Sequence, residues 1–208
     1  MQTGNLIIVS APSGAGKTSL VAALLKCDPQ VRLSVSFTTR APRAGEVNGR
    51  EYNFVDVAAF ERMRANGEFV ESALVHGNHY GTSHQWMSER RAEDLDILLE
   101  IDWQGAAQVR HTYSDAIGIF IVPPSYEVLL SRLKGRGTDA PEVIAQRLRN
   151  AREEIAHLID FEYVIINQAF DRAARELAAI VVAERLKRER QITRYREIID
   201  QLLNPPTR

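Results

Sequence analysis

Four short apolar runs constrain this chain more than any other feature: Leu6-Ile-Ile-Val9, Ile97-Leu-Leu-Glu-Ile101, Ile117-Gly-Ile-Phe-Ile-Val122 and Tyr163-Val-Ile-Ile166. Each has strand length, and all but the leucine-rich second are mostly β-branched. Near-continuous hydrophobicity, in place of strict alternation, is what strands covered on both faces require. Helix-like segments follow the runs, at residues 18–26, 105–111, 125–134 and from 170 onward. The alternation predicts an α/β fold with a mostly parallel sheet between helical layers. With 208 residues, 45% of them hydrophobic and 25% charged, the chain can bury one substantial core.

Charge and cysteine usage narrow the setting. There are 26 basic and 27 acidic side chains, a formal charge of −1, which argues against a broad nucleic-acid surface but leaves room for a local basic pocket. One cysteine, Cys27, excludes an intrachain disulfide and suits a reducing cytosol. The uncharged start and the four-residue run behind it make neither a signal peptide nor a membrane span. The expectation is a cytoplasmic protein with no membrane and no nucleic-acid partner.

Two stretches break the strand–helix rhythm. From about residue 33 to 94 the sequence alternates and carries turn signals, Ala44-Gly45 and Asn48-Gly49, which reads as a small α+β insertion. Gly135-Arg-Gly-Thr-Asp-Ala-Pro141 is a glycine-rich polar loop before a charged helix pattern, with Asp139 and Glu142 spaced as an N-cap and its reciprocal partner. Such a loop suits a mobile flap. The expected division is a core of residues 1–34, 95–131 and 151–208, an insertion of 35–94 and a flap of 132–150. The tail, 170–203, reads as one long helix with Leu177, Ile180, Val181, Glu184 and Leu186 in helical spacing. It fits a monomer or a homo-oligomer equally well.

Ala11-Pro12-Ser13-Gly14-Ala15-Gly16-Lys17-Thr18 lies between the first strand and the first helix. Successive backbone N–H groups there can cradle a polyphosphate at the helix N-terminus. Lys17 would reach the β- and γ-phosphates and the Thr18 hydroxyl would hold Mg²⁺. Ala11 stands where the strict pattern has glycine, so the loop is a variant. Taken alone it leaves a hydrolase, a motor fragment, a kinase and a switch all open.

Ser36-Phe-Thr-Thr-Arg40-Ala-Pro42-Arg43 sets two arginines three apart around a proline that stiffens the turn, a fork of donors for one phosphate. Ser36 and Tyr52 can add hydroxyls. At this point the residues resemble the guanylate kinase family. The resemblance runs through Gly45-Glu46-Val-Asn-Gly49, Tyr52, Phe69-Val-Glu71, Gly77-Asn-His-Tyr80-Gly81-Thr82, Ile101-Asp102-Trp-Gln104-Gly105, Arg132-Leu-Lys-Gly135-Arg136-Gly137 and Val164-Ile-Ile-Asn167. It is colinear over roughly residues 5 to 170, and its Ala-Pro-Ser and Asp-Trp-Gln-Gly forms are similar to bacterial members.

The resemblance implies a three-layer P-loop NTPase core with a mostly parallel sheet, a GMP-binding insertion and a mobile lid. It implies transfer of a phosphoryl group from Mg·ATP to GMP or dGMP, with Mg²⁺ as cofactor. ATP would lie on residues 11–18 and Asn167. Ser36, Arg40, Arg43, Tyr52 and Tyr80 would hold the GMP phosphate. Glu71, with Thr82 and Asp102, would read guanine, because a carboxylate suits the adjacent N1–H and amine donors and clashes with the acceptor N1 of adenine. Lys17, Arg40, Arg132, Arg136 and Arg147 would surround the moving charge.

Two departures stand out. Glu100 replaces an aspartate common in relatives, and it falls with Asp102 where carboxylates would act on the metal's waters. His79 replaces a common tyrosine and reads as a surface variant. The rival expectations are a guanylate-kinase-like scaffold that binds phosphopeptides and a related P-loop kinase with another phosphate acceptor.

Overall fold

The computed structural model describes residues 4–75, 77–135 and 141–205. Along the chain come β1 (Leu6–Ser10), α1 (Lys17–Cys27), β2 (Val31–Leu33), β3 (Phe37–Thr38), β4 (Asn53–Phe54), α2 (Val57–Ala65), β5 (Phe69–Val75) and β6 (Asn78–Ser83). Then follow α3 (His84–Ala92), β7 (Asp96–Glu100), α4 (Trp103–Thr112), β8 (Ile117–Val122), α5 (Tyr126–Lys134), α6 (Pro141–Ala156) and β9 (Tyr163–Ile166). Three helices close the chain: α7 (Phe170–Arg185), α8 (Arg188–Arg194) and α9 (Arg196–Leu203).

Five strands form a wholly parallel sheet in the order β2-β7-β1-β8-β9. The pleat sends Ile7, Val9, Leu98, Ile119 and Ile121 to one face, where they meet Leu20 and Leu24 of α1 and Leu177 and Val181 of α7. Leu6, Ile8, Ile97, Leu99 and Phe120 point the other way, onto Met87 of α3 and Ala106 and Val109 of α4. Both faces are covered over β1, β7 and β8, which is why those runs are almost wholly apolar, whereas Val164 and Ile166 on the edge strand β9 remain exposed. The expected three-layer architecture is present. The edge strand β2 escaped the sequence reading because Val31-Arg-Leu33 is short and broken by a charge; its register on Asp96–Leu98 supplies what its pattern lacks.

Residues 37–83 carry a second, mixed sheet in the order β4-β3-β6-β5. Asp56 caps α2 by accepting from the Ala59 N–H at 2.6 Å, and Phe60 of α2 stacks on Phe69 with ring centroids 4.6 Å apart. The sheet is tied to the core through α4: Gln108 accepts from the Ser72 N–H and donates to the Ser72 carbonyl, both at 3.1 Å. Leu129 and Leu133 of α5 and Ala151 of α6 form a small separate cluster. The Asp139–Glu142 cap expected at the start of α6 involves a residue outside the described ones.

The tail is not one helix. It breaks after Arg185 and again at Tyr195, and ion pairs across the fold account for the path. The Arg185 guanidinium donates to Asp96 at 2.5 Å and to Asp28 at 2.7 Å, and Arg194 reaches Asp94 at 3.1 Å. Asp96 is buried and also accepts from the Asn5 N–H at 2.7 Å. Removing Arg185 would leave that carboxylate without its cation, so Arg185→Ala should cost about 3 kcal/mol in urea denaturation. A loss under about 0.5 kcal/mol would assign the pair the weight of a surface contact. Among the described residues no helix is long and apolar enough to cross a membrane.

Candidate active site

The loop between β1 and α1 is shaped by its glycines. Gly16 adopts φ 95°, and a Cβ there would come within 2.5 Å of the Asn167 amide nitrogen. That amide donates to the Ala15 carbonyl at 2.7 Å, so Asn167 is a buried strut under the loop. Arg132 of α5 braces the same carbonyl at 3.2 Å and the Asn167 carbonyl at 3.3 Å. No side chain caps α1 and no acidic residue sits in its first turn. Its N-terminal N–H groups are therefore available to an anion.

Lys17 opens α1 and its ammonium donates to the Ile101 carbonyl at 3.4 Å. Burial pushes its pKa below the ordinary lysine range, while Glu100, Asp102 and Glu154 pull the other way. The Thr18 hydroxyl donates to Glu100 Oε1 at 2.6 Å. The longer side chain at position 100 thus reaches the very hydroxyl expected to hold a metal. Asp102 is the N-cap of α4, accepting from the Gly105 N–H at 2.8 Å.

Opposite the loop, Glu71 of β5 pairs in register with Thr82 of β6. The carboxylate is only 4% exposed, although β5 is an edge strand. It accepts from the Thr82 hydroxyl at 2.6 Å, and a Cβ at Gly105 would stand 3.1 Å from its other oxygen. Burial pushes its pKa up to about 7; the Thr82 hydrogen bond opposes the rise and the Asp102 charge adds to it. Lys17, Ser36, Tyr52, Glu71, Tyr80, Glu100 and Asp102 line one cavity of about 260 Å³. Residues from both sheets thus face one space. The Tyr52 and Tyr80 rings meet edge to face at 5.8 Å, and burial raises the pKa of the Tyr52 hydroxyl.

Other expected site residues lie around this cavity. Arg40 stands behind the tyrosines, over the faces of Tyr52 and Phe54 at 5.4 and 5.8 Å, and is paired with Glu46. The Arg43 side chain is exposed, and Arg147 is half-buried on α6. Arg136 lies outside the described residues. His79, expected at the surface, is half-buried and stacks on Phe60 at 5.2 Å. Two carboxylates escaped the sequence reading. Glu46 was visible only as part of a motif. Glu154 of α6 gave no signal at all, because it reaches the loop from far along the chain. It faces the Ser13 N–H, Lys17 and Asp102, and burial pushes its pKa up to about 7.

Comparison with known proteins agrees with this geometry. Residues 3–184 match the family described as guanylate kinase. The guanylate kinase of Aromatoleum aromaticum is 56% identical over 199 residues, covering 96% of this chain and 98% of its own length. That of Methylobacillus flagellatus is 54% identical over 200 residues, covering 96% and 99%. A crystal structure of guanylate kinase from Anaplasma phagocytophilum superposes with a TM-score of 0.78 at 33% identity, covering 99% of this chain and 98% of that one. With a glycine-shaped loop and lysine facing a buried carboxylate across one cavity, and with family likeness along nearly the whole chain, this protein belongs to the guanylate kinase family and is a nucleoside monophosphate kinase.

Proposed function

We propose that the chain transfers the γ-phosphoryl group of Mg·ATP to GMP, and to dGMP, yielding ADP and the nucleoside diphosphate. The observation that carries the reading is that Lys17 and Glu71 line one cavity together with Tyr52 and Tyr80. Backbone N–H groups at the start of α1 and in the loop before it, with Lys17, hold the ATP phosphates, and Asn167 and Arg132 keep the loop in shape. Ser36, Tyr52 and Tyr80, with Arg40 and Arg43, take the GMP phosphate. Glu71 accepts from guanine N1–H and the exocyclic amine, beside Thr82 and Asp102. No residue is assigned to the ribose 2′-hydroxyl, which is why dGMP is included.

An oxygen of the GMP phosphate attacks the γ-phosphorus, and the bond to the β–γ bridging oxygen breaks with its electron pair going to ADP. No side-chain nucleophile is needed; the chain aligns the two phosphates and neutralises charge through Lys17, Arg40, Arg132, Arg136 and Arg147. Thr18, with Glu100 and Asp102 acting through water, would hold Mg²⁺, which supplies charge neutralisation at the β- and γ-oxygens. The oxygen pair of Thr18 and Glu100 suits a hard cation. One phosphoanhydride replaces another, so the reaction runs both ways. The lone cysteine fits the reducing cytoplasm.

The test is ADP formation from Mg·ATP with GMP, dGMP, AMP, UMP, CMP or no acceptor. Turnover is expected with GMP and dGMP alone. Comparable turnover with AMP would overturn the role of Glu71, and GMP binding without turnover would favour a scaffold.

A further inference from the structure

The loop that carries Arg40 and Arg43 closes on itself through one carboxylate. Arg43-Ala-Gly45-Glu46 is a turn in which the Glu46 N–H donates to the Arg43 carbonyl at 3.1 Å. Gly45 sits at φ 87°, as the third position of a type II turn demands. The turn swings the Glu46 side chain back over the residues that precede it. Its Oε2 accepts from the Arg43 N–H at 2.7 Å, and both of its oxygens accept from Arg40 Nη2 at 2.9 Å. The two side chains are 14% and 18% exposed, so this is no solvated surface pair. Arg50 pins the turn from outside, donating to the Gly45 carbonyl at 2.8 Å.

The pairing does not take up the whole guanidinium. Glu46 engages only Nη2, and Nη1 gives one bond to the Ala41 carbonyl at 2.8 Å. The guanidinium lies over Tyr52 and Phe54, toward the cavity wall that Tyr52 and Tyr80 form. An unrestrained arginine loses much rotamer freedom when it docks on an anion. One already fixed in place loses less, and the difference appears as affinity.

We propose that Glu46 is a positioning residue for the acceptor phosphate: by binding Arg40 Nη2 and the Arg43 N–H together, it holds both arginines in register before the phosphate arrives. This rests on the reading of the cavity as the GMP site. The opposite role, a carboxylate that occupies the phosphate's place and must be displaced, predicts the reverse effect of its removal.

Glu46→Ala and the isosteric Glu46→Gln separate the two roles in steady-state assays with GMP and ATP varied in turn. The expected result is a KM for GMP raised about tenfold in Glu46→Ala and less in Glu46→Gln, with the KM for ATP within about twofold of the parent. Glu46→Gln keeps one acceptor for the Arg43 N–H, so its intermediate value is a partial rescue that general unfolding would not produce. It also carries the test if Glu46→Ala does not fold. An unchanged or lowered KM for GMP would overturn the proposal. So would a parallel rise in both KM values. A parent enzyme that does not use GMP would instead overturn the reading of the site.

Discussion

Lys17→Ala is expected to fold and to lose phosphoryl transfer by a factor on the order of 10³ or more. The ammonium is the cation at the start of α1, and its hydrogen bond to the Ile101 carbonyl is a long 3.4 Å. Burial already disfavours its charge, so the fold gives up little when it goes. On the proposed reading, what the site would lose is the group that meets charge developing between the β- and γ-phosphates. Single-turnover ADP formation, with a thermal melt beside it, checks both halves. A variant that turns over within tenfold of the parent, or one that is unfolded, would sink the assignment. Glu154 offers an internal control: the Lys17 charge holds its pKa down, so Lys17→Ala should push it above about 7.

Glu71→Gln should lower kcat/KM for GMP by a factor on the order of 10² or more and yet stabilise the free protein at alkaline pH. The first effect follows from replacing an acceptor of two donors with an amide that presents its own N–H₂. The second follows from burial. The folded pKa of Glu71 is raised to about 7, above that of the unfolded chain, so the native state binds the proton more tightly. Its contribution is therefore fully present below the unfolded value near 4.3. It is lost as pH climbs toward 7, and it is flat beyond. The loss is on the order of 3 kcal/mol. Glu71→Gln removes this dependence: urea midpoints of the two proteins should nearly coincide at pH 4.5 and separate at pH 8 with the variant higher. Equal stability at both values would show that the carboxylate is solvated in the folded chain. On the proposed reading a bound guanine would offer two donors to the charged form, so ligand binding would recover what folding gives up.

How far each feature was legible depends on how local its cause is. Glu71 could be named from a motif, but its burial comes from α4 packing over the edge strand, with Gly105 leaving room for the carboxylate. Asn167 was expected at ATP; its side chain is a buried strut under the Ala15 carbonyl. His79 read as a surface variant because nothing in its neighbourhood along the chain announces Phe60 beneath it. The tail had helical periodicity throughout, and periodicity carries no record of the aspartates at positions 28, 94 and 96 that bend its path.

The parallel core was legible along the chain, in apolar runs that suit strands covered on both faces. So was the glycine turn before α1, through glycines whose backbone angles other residues rarely adopt. These are properties of short stretches, set by sterics and by side-chain period. Tertiary structure alone decided which carboxylates meet which cations. It brought Glu100 to Thr18, Glu154 toward Lys17, and Asp28 and Asp96 to Arg185. Glu46 is the near case: it is only six residues from Arg40, but it meets Arg40 because a glycine turn reverses the chain between them. Pairings of this kind depend on desolvation and on distances through space, and neither is written into the order of residues along a chain.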